Sequence, residues 1–95
     1  MILELAILTV KKDLTQSFER DFKIAEKIIS SMKGFVNLEL KKCIEVQNQY
    51  LLLVHWQSIE DHEIGFRQSN EYQEWKKLLH HYYDPFPTVQ HYQDE

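Results

Sequence analysis

Residues 49–57 read Gln49-Tyr50-Leu51-Leu52-Leu53-Val54-His55-Trp56-Gln57, and this stretch decides the fold. It is strand-sized, with a polar turn over residues 45–48 before it and Ser58 after it. Side chains alternate between the faces of a strand, so Tyr50, Leu52, Val54 and Trp56 oppose Leu51, Leu53 and His55. A strand with one wet face would be polar at every second position; this one is apolar on both. Residues 2–10 read the same way, interrupted only by Glu4 and Thr9.

The segments around these two strands carry other periods. Phe18, Phe22, Ala25, Ile29 and Met32 recur at helical spacing, with Asp13 and Gln16 as a capping box and Gly34 as a left-handed C-terminal cap. Residues 35–43 alternate, with Val36, Leu38 and Leu40 on one side and Asn37, Glu39 and Lys41 on the other. Ser58 with Asp61 caps a second helix bearing Ile59, His62 and Phe66, and Ser69-Asn70-Glu71 starts a fresh one bearing Tyr72, Trp75, Leu79 and Tyr82. Asp84-Pro85-Phe86-Pro87 must end it, because proline lacks the donor a helix needs. Residues 88–93 form a short last strand.

The order β-α-β-β-α-β predicts one α+β domain over residues 1–95. It is a ferredoxin-like split β-α-β sandwich, with a four-stranded antiparallel sheet and helices on one face. The first and third strands then leave large apolar side chains on the uncovered face. At about 25 cal/mol per Å², leaving several of them in water forfeits several kcal/mol, and a 95-residue chain has little core to spare. Packing two sheets face to face removes the deficit, so the patterning predicts a homodimer through the sheet faces.

Composition excludes several classes of partner. A net charge of −4, with 11 basic and 15 acidic residues interspersed, argues against nucleic acid. No apolar run approaches the ~20 residues of a membrane span. The single cysteine, Cys43, forms no internal disulfide, and with no signal-like leader it fits a reducing cytoplasm. Five histidines raise the question of metal, but none pair at helical ligand spacing and no Cys-x-x-Cys or His-Glu-x-x-His occurs. His55 and His91 meet only if their strands pair in the right register. No metal or other cofactor is expected.

Three segments resemble the antibiotic biosynthesis monooxygenase domain family: residues 51–62 (LLLVHWQSIEDH), 66–75 (FRQSNEYQEW) and 83–92 (YDPFPTVQHY). The resemblance covers nearly the whole chain. It implies a dimeric α+β barrel in which each subunit keeps a pocket between sheet and helices. Members include cofactor-free oxygenases of polycyclic anthrones, haem-degrading enzymes and isomerases of small signalling molecules. The haem-degrading branch relies on an Asn in the first strand, a Trp on the second helix and a His beyond it. This chain has no Asn there, Phe66 in the place of the Trp and Lys76 about where the His falls, which disfavours haem degradation. The anthrone-oxidising branch uses an Asn, a Trp and a Tyr; at that spacing stand His62, Phe66 and Tyr72, so the Tyr is retained.

A cofactor-free oxygenase needs an apolar cavity, a base and a donor for the developing oxyanion. His62, with an ordinary pKa near neutrality, is the candidate base, and Tyr72 the candidate donor. Phe66, Trp75, His80 and Phe86 are candidates for the substrate pocket. The structural alternative for His62 is a helix histidine bonded to a backbone carbonyl. For Trp75 the alternative is core packing, and for His80 a cation at the helix C-terminus. The activity expected is cofactor-independent monooxygenation of a small aromatic or enolisable metabolite. The alternative is a non-catalytic dimer of the same fold binding a small hydrophobic or aromatic ligand, haem among them.

Overall fold

The computed structural model describes all residues, Met1–Glu95. In chain order come β1 (Ile2–Thr9), α1 (Thr15–Ile29), β2 (Phe35–Lys42), β3 (Gln49–Trp56), α2 (Asn70–Leu79) and β4 (Val89–Tyr92). The sheet runs β2-β3-β1-β4 and every pair is antiparallel, which is the ferredoxin-like α+β arrangement the patterning predicts. The two strands that are apolar on both faces are the two central ones.

One face of the sheet is packed and the other open. Glu4, Ala6, Leu8 and Val10 from the first strand, with Tyr50, Leu52, Val54 and Trp56 from β3, are all buried. They share a core with Phe18, Phe22, Ala25 and Ile29 of α1 and Trp75 and Leu79 of α2. Two phenols tie the margins of α1 to the rest. Tyr50 donates to Glu19 at 2.5 Å and Tyr82 to Asp21 at 2.5 Å, holding both carboxyls below their ordinary range. On the opposite face Leu3, Leu5, Leu51 and Leu53 are only half-buried and Ile7 is 51% exposed.

The structure departs from the sequence reading in four places, and it decides the register question left open for His55 and His91. Asp13 caps nothing: Lys12–Leu14 form a 3₁₀ turn in which the Leu14 N–H already bonds the Lys11 carbonyl at 2.9 Å. α1 ends at Ile29, so Met32 packs from the following turn, and Gly34 (φ +83°) lies beyond the helix rather than at its cap. That glycine is required by space as well as by conformation, because a Cβ there would collide with the Asp61 carboxylate. A bulge between Phe35 and Asn37 turns Val36 outward. Phe35 takes the inward place, edge-on to Trp56 at 6.0 Å. His55 and His91 do not meet: β1 separates their strands, His55 bonds Asn37 at 2.7 Å, and His91 faces the helices. Finally, the second helix is a π segment, Asp61–Phe66.

Candidate active site

The π segment begins as expected, with the Asp61 N–H bonding Ser58 Oγ at 3.2 Å. It then widens, so that the Arg67 N–H reaches the His62 carbonyl, five residues back, at 3.0 Å. Such turns are rare and concentrate at functional sites. This one turns both His62 and Phe66 into the core. Ser69 caps α2 by accepting from the Tyr72 N–H at 3.0 Å, which fixes Tyr72 and Trp75 above the same region.

A cavity of about 50 Å³ lies between sheet and helices. Its lining includes five of the six residues singled out from sequence: His62, Phe66, Tyr72, Trp75 and His80. Phe86 is not among them; it is 61% exposed and packs from outside on His80, ring centroids 4.9 Å apart, while Pro87 borders the cavity itself. The proline-bearing loop thus lays its phenyl ring over the rim. Larger grooves exist, one of about 540 Å³ beside Lys12, Lys42 and Glu45. That one has a single apolar residue and no buried polar group converging on it, whereas the small cavity is walled by apolar residues around Glu4 and His62.

Its polar centre is Glu4, which sequence reading passed over as an interruption of β1. Glu4 and His62 are 5% and 3% exposed. Trp56 Nε1–H donates to Glu4 Oε1 at 2.9 Å, and His62 Nε2 stands 3.2 Å from the same oxygen. The imidazole lies flat against the Trp56 indole, centroids 5.3 Å apart at 20°. Its other nitrogen, Nδ1, is 2.7 Å from Nε2 of His91. His62 is therefore bonded to His91 and within ion-pair distance of Glu4, and not bonded to a backbone carbonyl. Arg67, Tyr83, Leu8 and Leu52 complete the wall. No group of three or more His, Cys, Asp or Glu side chains is arranged to hold a metal ion.

Burial governs the charges. It raises the Glu4 carboxyl to about 7, against the smaller opposing effects of the Trp56 hydrogen bond and Arg67. It lowers His62 to about 3, helped by the positive Arg67 and by His91. Although the two groups stand at ion-pair distance, an ion pair is not the favoured state. Between about pH 3 and pH 7 the pair is a carboxylic acid beside a neutral imidazole. His80 is lowered by burial and by the charge of Lys76, which works against a helix-capping cation there. Tyr83 is raised by burial, with Tyr72 and Glu4 close enough to add to the effect. Unlike Tyr50 and Tyr82, Tyr72 and Tyr83 do not commit their hydroxyls to a carboxylate.

A sequence profile of the antibiotic biosynthesis monooxygenase family matches residues 1–78. The chain belongs to this family. It is 55% identical over 94 residues to the uncharacterized protein YczJ of Bacillus subtilis (strain 168), covering 99% of both chains. A solved protein of Bordetella bronchiseptica named after the family superposes with a TM-score of 0.93 at 31% identity, over 99% of this chain and 96% of that one. SnoaB, a cofactor-independent oxygenase from Streptomyces nogalater, gives a TM-score of 0.79 at 16% identity, over 99% and 92% of the two chains. At that identity the likeness concerns the fold. No helix of this family member is long and apolar enough to cross a membrane.

The two shifted groups have opposite effects on stability. Glu4 gains proton affinity on folding, from 4.5 to about 7, so its contribution is full below pH 4.5 and is lost as pH rises through 7. His62 falls from 6.5 to about 3, so its contribution is full above pH 6.5 and is lost as pH falls through 3. Glu4→Gln keeps an acceptor for Trp56 and removes the first dependence. Urea unfolding should show the variant gaining on the wild type between pH 5 and pH 8 by roughly 2–3 kcal/mol. Parallel pH profiles would mean that Glu4 titrates as an ordinary carboxyl.

Proposed function

We propose that this chain is a cofactor-independent monooxygenase of a small aromatic or enolisable metabolite, working as a homodimer. The observation that carries the reading is Glu4. It is a buried carboxyl facing an aromatic-lined cavity, with a proton affinity near neutrality, where a general base works best. His62, lowered to about 3, is too weak a base to act alone. Its part is to hold Glu4 and exchange protons with it.

The reaction balances without metal or flavin: R₂CH₂ + O₂ gives R₂C=O + H₂O. The Glu4 carboxylate takes a proton from the activated carbon, and the carbanion delocalises onto a substrate oxygen that the Tyr72 hydroxyl can hold. Arg67 at the rim favours that negative charge. The electron-rich carbanion passes an electron to dioxygen, and recombination forms the C–O bond of a peroxide. Protonation, loss of the second C–H proton and cleavage of the O–O bond release water and leave the ketone. About 50 Å³ holds one or two waters but no ring, so substrate access requires the loop bearing Phe86 and Pro87 to move aside.

The dimer reading rests on the open sheet face. Leu3, Leu5, Ile7, Leu51 and Leu53 leave a contiguous apolar stripe across β1 and β3. A second copy covering it would recover the several kcal/mol that water exposure forfeits. Sedimentation equilibrium at micromolar concentration should give twice the 11.5 kDa chain mass, and Leu53→Glu should return it to one chain. A wild-type monomer, or a dimer untouched by Leu53→Glu, would place association elsewhere or nowhere.

The activity is tested with an oxygen electrode and 1,8-dihydroxyanthrone, without added metal, flavin or haem. One O₂ should be consumed per ketone formed, at a rate that rises with pH through about 7 as Glu4 loses its proton. Glu4→Gln should lower the rate about 100-fold or more. Tyr72→Phe should cost less, since it removes one donor and keeps the ring. Oxygen uptake no faster than without protein, or undiminished in Glu4→Gln, would count against the reading.

A further inference from the structure

The carboxyl that faces the cavity is also the inner end of a line of groups leading to the surface. Glu4 Oε1 is 3.2 Å from His62 Nε2. His62 Nδ1 is 2.7 Å from His91 Nε2, and His91 Nδ1 is 3.7 Å from Glu63 Oε1. Side-chain exposure rises outward, from 7% and 3% at Glu4 and His62 to 15% at His91 and 47% at Glu63. Each imidazole presents one nitrogen inward and the other outward. Three separate elements supply the line: β1, the π segment and β4. His91 is the cross-strand partner of Glu4, so strand register places these two, and the π segment places His62 and Glu63.

We propose that Glu4, His62, His91 and Glu63 form a proton conduit between the buried carboxyl and solvent, with His91 and Glu63 as its relay residues. The inference rests on the oxygenase reading for the use of the conduit, but not for its existence. A linear arrangement of two imidazoles has two matched proton patterns. In the first, protonated Glu4 donates to His62 Nε2, His62 Nδ1–H donates to His91 Nε2, and His91 carries its proton on Nδ1, from which Glu63 at 3.7 Å is one water away. Moving every proton one step outward delivers one to Glu63 or to water. It leaves Glu4 ionised and both rings N–H on their inner nitrogens.

The proposed chemistry uses this motion in both directions. The outward shift ionises Glu4, which then takes the proton from the substrate carbon and hands it to the peroxide. The inward shift re-protonates Glu4 once the ketone and water have formed, and each ring regains its first tautomer. No residue is consumed.

The groups facing His62 favour a concerted shift over a resident imidazolium. Arg67, from the end of its own segment, repels a second positive charge. Trp56, from β3, donates to Glu4 and has no acceptor nitrogen through which a proton could continue. Tyr72, His80 and Tyr83 line the cavity side and offer no contact to His91.

His91→Phe keeps a ring in place and removes both nitrogens. With ¹⁵N-labelled histidine, solvent exchange of the His62 ring N–H, followed by NMR in protein without substrate, should slow about 10-fold or more. In the oxygen assay the same variant should lose about 10-fold in kcat with KM unchanged, less than the ~100-fold for loss of the group that takes the substrate proton. Added imidazole should restore the rate, and Glu63→Gln should have a milder effect of the same kind. Unchanged His62 exchange in a folded His91→Phe would overturn the conduit. So would a loss of kcat that imidazole does not rescue, since a purely structural His91 gives that result. If the wild type consumes no oxygen, the oxygenase reading fails while the exchange measurement still decides the conduit.

Discussion

The contact on which the site depends is the one Glu4 oxygen that receives the Trp56 N–H and faces His62 Nε2. A carboxyl inside a sheet is costly unless its oxygens find donors. Here one donor comes from the neighbouring strand and the second partner from the segment that follows it. Trp56 reaches Glu4 because β1 and β3 pair with Ile2 opposite Trp56, which sets the indole one step diagonally from the carboxyl. His62 reaches it because the π segment swings the imidazole onto the indole face. Removing either partner would leave a buried acid short of a neighbour.

The fold positions these groups through its two central strands. Their packed faces form the cavity floor, and α2 with the π segment forms its roof. Phe66 joins the two, lying near Trp56, His62, Tyr72 and Trp75 at once. This aromatic shell keeps the local dielectric low. The low dielectric in turn raises Glu4 and lowers His62. Packing and proton affinity are two results of the same burial, so a change that loosens the shell should bring both groups back toward their ordinary values.

Much of the architecture was legible because strand faces and helix faces leave periodic traces. The two-faced apolar runs of β1 and β3 marked the central strands, and Ser58 and Ser69 marked two helical starts. Less could be read where the backbone departs from those periods. The bulge that displaces Val36 and the i→i+5 turn that carries His62 and Phe66 have no simple residue signature. Five of the six site candidates surround the cavity because Tyr72, Trp75 and the residues before them share inward faces. Phe86 fell outside it, since proline spacing places a loop without saying which ring turns in. Glu4 was missed, although the signal was present: it is the one charged residue in a central strand otherwise apolar but for Thr9. His91 was visible only as a histidine on the last strand, and its partner depended on register.

The central claim is that Glu4 keeps its proton up to a midpoint near pH 7, beside a neutral His62. The direct measurement is a ¹³C NMR titration of the Glu4 side-chain carboxyl, assigned by comparison with Glu4→Gln. The account predicts a midpoint near pH 7, with the His62 imidazole still neutral at pH 5. A Glu4 midpoint in the ordinary carboxylate range, together with a His62 that is protonated at pH 5, would contradict it.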